Sequence, residues 1–144
     1  MSISPPDFLI LAAISNAAPF ADLFRRKFGH PLPATGDHFV AFHRDQAGAL
    51  WPLSYLNFNR FGDIRLVGGG CTDGAVIRRM TEAQRDAVTA SGGVLVHLLR
   101  AGFRHYAADC DAYFGHCGDA RAYEVDLAAG FEPTGHEFLL VHWH

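Results

Sequence analysis

Apolar and polar positions follow two different periods along this chain, and the points where the period changes mark its elements. Ser4-Pro-Pro-Asp7 reads as a helix start: Ser4 can cap, Pro5 fits the first helical position, and Asp7 lies three residues after the cap. The run Phe8–Ile14 that follows is apolar nearly all round, which suits a buried strand as well. After Pro19, the residues Phe20, Leu23, Phe24 and Phe28 recur at helical spacing, with Arg25, Arg26 and Lys27 near the end and Gly29 as a stop. The pattern predicts two short helices here, or a strand and a helix.

Further along, the period shortens to that of strands. His38–His43 and Leu50–Phe61 are rich in β-branched and aromatic residues, with a turn at Arg44 to Gly48 between them. A turn at Phe61-Gly-Asp63 leads to Ile64–Val67, a third strand that runs into Gly68-Gly-Gly-Cys71-Thr-Asp73-Gly74. Three strands joined by short turns predict an antiparallel meander. Thr81-Glu-Ala-Gln84 matches a capping box, and a helical segment follows, interrupted at Ser91-Gly92-Gly93. Leu95, Leu98, Leu99 and Phe103 continue it on one face. A double glycine is costly inside a helix, so it marks either a break between two helices or a close approach to the backbone. The last third reads as a strand near 111–116, a turn at Gly118-Asp119, a helix over 120–129 stopped by Gly130, and a strand over 134–142. The order predicts an α/β or α+β sheet with helices on its faces.

The 144 residues fit one domain spanning 1–144, and 49% hydrophobic against 19% charged is a globular composition. A formal net charge of −3 supplies no basic face for nucleic acid. No apolar run is long enough to span a bilayer. Phe8–Ile14 lacks the basic flank of a signal segment, so it is read as part of the fold. Cys71, Cys110 and Cys117 are odd in number and are read as reduced thiols in a cytoplasm. The nine histidines include no metal-type spacing with the cysteines, so no metal site is expected.

Gly118-Asp119-Ala-Arg-Ala122 and Leu127-Ala-Ala-Gly-Phe131-Glu-Pro-Thr-Gly135, in this order of elements, resemble the GNAT acyltransferase superfamily over residues 110–143, and by topology back to about residue 38. The resemblance implies a mixed, mostly antiparallel sheet that splays beside its fourth strand and opens a cleft for acetyl-coenzyme A or another acyl-coenzyme A. It implies a pyrophosphate loop at the start of the long helix, matched here by Ser91, Gly92, Gly93, Val94 and Leu95. Leu95 stands where the family's second loop glycine falls, and no Arg or Gln precedes Gly93 by three residues. The family's acidic tyrosine position, four residues before the Gly-Phe glycine, holds Asp126, while Tyr123 lies one helical turn earlier.

On these grounds the expected activity is transfer of an acyl group to a small-molecule amine. Asp73 or a cleft histidine (His116 or His136) would be the base, and Tyr123 or Asp126 the acid. Each residue also has a plain structural reading. Asp119 is most simply an N-cap, Cys71 a small buried residue, and Arg78-Arg79 a solvated pair. The alternative is a non-catalytic protein of the same fold that uses the cleft for another ligand, a protein partner or self-association as a homodimer.

Overall fold

A computed structural model describes residues 4–144. The chain begins with strand β1 (Leu9–Ile14), a 3-10 turn at Ala18–Phe20 and helix α1 (Ala21–Phe28). Of the two readings of the N-terminus, the strand-and-helix one holds, because β1 pairs antiparallel with β2 (Asp37–Arg44) over its whole length. Six ladder positions outweigh the local helix signal of Ser4 and Pro5. The meander continues through β3 (Leu50–Phe61) and β4 (Ile64–Thr72), antiparallel throughout.

Three helices follow: α2 (Gly74–Arg79), α3 (Glu82–Ala90) and α4 (Val94–His105). The short α2 was not foreseen; it starts because the Asp73 side chain accepts from the Ala75 amide. Thr81 and Gln84 form the reciprocal capping box that opens α3. The chain then runs through β5 (Ala112–His116), α5 (Ala120–Ala129), a two-residue β6 (Glu132–Pro133) and β7 (Leu139–Trp143). The last strand, expected over 134–142, thus begins only at Leu139, after the separate short β6. Pro133 has no amide to extend the ladder, and Gly135 turns the chain with φ +89°.

These strands form one mixed sheet of order β1-β2-β3-β4-β5-β7-β6, in which β4–β5 is the parallel pair. The main core lies between the sheet and α4 and α5, around Leu53, Phe58, Leu98, Leu99, Tyr113 and Phe131. A smaller core on the other face packs Phe20, Leu23 and Phe24 against Val40 and Tyr55. Gly102 lets α4 sit close on the sheet: a Cβ there would lie 2.3 Å from the Phe58 ring. At the edge of the main core, Arg65 is buried between Asp37 (2.6 Å) and Asp109 (2.8 Å), with Tyr106 stacked on its guanidinium. It ties the start of β2 to the segment after α4.

Candidate active site

The site begins where β4 and β5 part. Their parallel register runs from Ile64–Ala112 to Val67–Gly115 and stops. Strand β4 continues to Thr72 with no partner on its β5 side, so the sheet opens into a V. On its other side β4 bulges: Tyr55 pairs with Cys71 and Asn57 with Gly68, so Leu56 faces both Gly69 and Gly70. Gly69 takes φ +68° there, and a Cβ would meet the Phe24 ring at 2.9 Å. The three glycines therefore serve a bulge and a close approach, and they leave a strand edge with little side-chain cover.

The V is the floor of a cleft of about 900 Å³. One wall is the start of α4. Helix α3 ends in a Schellman motif, in which the Gly93 amide donates to the Val88 carbonyl and the Gly92 amide to Thr89. Gly93 then caps α4 with φ +103°, and no side chain satisfies the helix start. The amides of Val94, Leu95 and Val96 thus have no intrahelical acceptor, and the helix dipole adds positive potential beside the cleft. The loop expected over Ser91–Leu95 falls at the junction of α3 and α4. The amides of Gly92 and Gly93 are spent on ending α3, and Ser91 does not line the cleft. The Leu95 side chain reaches the open strand, lying within 4 Å of where a Gly70 Cβ would be.

The other wall is the end of β5 and the first half of α5. Asp119 caps α5 by accepting from the Arg121 and Ala122 amides. Gly130 and Phe131 close it: the Phe131 amide reaches the Asp126 carbonyl and the Gly130 amide that of Leu127. Asp126 points back under this wall, where its Oδ2 accepts from the Cys117 thiol at 2.8 Å. Burial raises the Asp126 pKa, against a smaller lowering by that thiol. Burial and the neighbouring carboxylate push the Cys117 thiol up to about 12. Burial thus favours the protonated form of Asp126, beside a thiol that is no nucleophile. His116, exposed, lines the same opening, as do Lys27 and Phe28 from the end of α1.

No protein-family model matches the sequence, and no curated protein matches it. Among solved structures, a "putative acetyltransferase" from Exiguobacterium sp. 255-15 aligns at 10% identity and TM-score 0.52, over 94% of this chain and 93% of its own. The chain has a GNAT-like fold, a mixed, mostly antiparallel sheet flanked by helices. Two further similar structures are the ribosomal-protein-S18-alanine N-acetyltransferase of Escherichia coli and a GNAT-family acetyltransferase of Bacillus anthracis. The first aligns at 12% identity over 92% of this chain and 89% of its own, TM-score 0.49. The second aligns at 13% over 74% and 63%, TM-score 0.39.

Of the residues singled out from the sequence, this GNAT fold brings Gly92, Gly93, Val94, Leu95 and Asp126 to one cleft. Asp73 is set apart from it. One of its oxygens caps α2 at Ala75 and the other accepts from Arg26 at 3.2 Å, so both carry structural bonds. Tyr123 packs against the main core and does not line the cleft. His136 sits in the exposed segment before β7. Sequence reading missed the Cys117–Asp126 pair. Nine residues separate Cys117 from Asp126, and only the strand-turn-helix geometry joins them. Among the described residues, no group of His, Cys, Asp or Glu is arranged to hold a metal ion, and no helix is long and apolar enough to cross a membrane.

Proposed function

We propose that this chain is an acyl-coenzyme A-dependent N-acyltransferase, acetyl in the simplest case, acting on a small amine. One observation carries the reading: the free amides of α4 and the unpaired edge of β4 face the same cleft in a GNAT fold. Pyrophosphate suits the helix start at Val94 and Leu95, and the two amides of a pantetheine arm suit a strand edge that lacks a partner. Acyl-coenzyme A would supply an acyl group activated as a thioester. Asp126, whose pKa burial raises, would give its proton to the sulfur as the acyl–sulfur bond breaks. His116, which lines the same cleft, would take the proton released by the amine as its nitrogen bonds to the acyl carbon. Asp73 has no part in this scheme. Three free, buried thiols suit a reducing cytoplasm.

Titration with acetyl-coenzyme A, read by thermal shift and calorimetry, tests the reading. Ligand at a hundred times its Kd adds about 2.7 kcal/mol, which raises Tm by roughly 5–11 °C in a chain of this size. Gly93→Glu places a carboxylate at the α4 amides and should remove the shift. Gly93→Ala carries the same backbone strain without the charge and should keep it. No response at millimolar ligand would refute the proposal. One observation favours the alternative, a non-catalytic GNAT-fold protein: Leu95 lies against Gly70 and narrows the path between α4 and β4. A flat titration would move the assignment there.

A further inference from the structure

The two glycines at the start of the cleft are held by a side chain that touches neither of them. His97 lies in the first turn of α4 and is 2% exposed. Its Nε2 sits 2.7 Å from the Ser91 hydroxyl oxygen. That hydroxyl in turn donates to the carbonyls of Ala87 (2.9 Å) and Val88 (3.0 Å) in the last turn of α3. With its hydrogen turned toward those carbonyls, the Ser91 oxygen accepts from the ring, which assigns the Nε2–H tautomer. The bond therefore runs from the last turn of α3 to the first turn of α4. It spans Gly92 and Gly93, both at φ near +100°.

We propose that His97 is a positioning residue that locks the Ser91-Gly92-Gly93 junction and thereby aims the Val94 and Leu95 amides at an anionic ligand. The proposal rests on the reading that those amides receive the pyrophosphate of coenzyme A. Two successive glycines have the freest backbone a chain offers, and a free junction would have to be ordered by the ligand at the expense of affinity. The Schellman bonds fix the α3 side of the junction. The His97–Ser91 bond fixes its α4 side, which is the side that carries the free amides. Burial, reinforced by Arg100 and Arg104, lowers the pKa of the ring and favours its neutral form.

The test compares His97→Leu, His97→Gln and Ser91→Ala with the parent protein. Amide hydrogen exchange over residues 92–96 is the first readout, and the Kd of free coenzyme A is the second. Leu fills the volume but cannot donate, whereas Gln can place an amide N–H toward Ser91. Exchange at residues 92–96 should rise at least tenfold in His97→Leu and in Ser91→Ala, and return close to the parent value in His97→Gln. Coenzyme A should bind about tenfold more weakly to the first two. The double variant should be no worse than either single one, because both remove the same bond. Unchanged exchange in Ser91→Ala would overturn the proposal, and so would His97→Gln behaving like His97→Leu. Should His97→Leu fail to fold, Ser91→Ala and His97→Gln still decide. A parent protein that ignores coenzyme A would sink the functional reading, while exchange still judges the lock.

Discussion

Replacing Gly102 with Ala sets two known effects against each other. In an ordinary helix interior the change stabilises by about 0.8–1.0 kcal/mol, because alanine is the better helix former. Here the added Cβ would lie 2.3 Å from Phe58 Cζ and 2.8 Å from Cε2. Ordinary contact begins near 3.4 Å, so the ring or the helix must give by about an ångström. Phe58 is fully buried, with Phe39, Tyr106 and Tyr113 packed around it at ring distances of 5.0–6.0 Å. It has nowhere to turn. Overpacking of this kind costs typically ~1–3 kcal/mol, and this contact belongs at the upper end or beyond. The net expectation is a loss of about 2 kcal/mol or more, a fall in Tm of at least roughly 4–8 °C by differential scanning calorimetry. Adding Phe58→Leu should recover part of the loss by making room. A Gly102→Ala protein with a Tm equal to or above the parent's would refute the packing argument. The same substitution lifts α4 from the sheet and so should also weaken any ligand held at its first turn.

Asp126→Asn keeps the shape of the pair with Cys117 and removes the titration. Because the folded-state pKa of Asp126 is raised, its contribution is fully present below the unfolded carboxylate pKa and is lost as pH rises through the folded value. Urea midpoints should therefore favour the Asn variant increasingly from about pH 4 toward neutrality, and a pH-independent difference would contradict the assignment. Asp119→Ala should cost about 0.5–1 kcal/mol, since its two cap bonds are long (3.4 Å) and exposed, and should leave the Kd for coenzyme A within about twofold. A large loss of binding would instead give Asp119 a ligand role.

The strands of the meander and the last helix were legible because local chemistry and final structure agree there. Strand β3 spans Leu50–Phe61 and α5 spans Ala120–Ala129 as their apolar periods and stop residues predict. Asp119, Gly130 and Phe131 were legible for the same reason, since a cap and a Schellman end are local devices. What stayed hidden depends on distance. The strand state of Leu9–Ile14 is decided by β2, nearly thirty residues on. The separation of Asp73 from the cleft is decided by Arg26 and by a six-residue helix with little periodicity of its own. Tyr123 and Asp126 share one helix, and only the burial of its two sides tells which faces the opening. The double glycine announced a junction, but which amides it frees depends on how α3 ends.

An unpaired strand edge is ordinarily a hazard, because it offers any other chain a template for pairing. The open edge of β4 lies inside a notch instead, with β5 on one side and the first turns of α4 and α5 above it. A second protein strand would bring side chains on both faces and a sheet behind it, which the helices over the notch oppose. The fold thus keeps the glycine backbone of Gly68–Gly70 unpaired without offering it as an outer edge of the sheet.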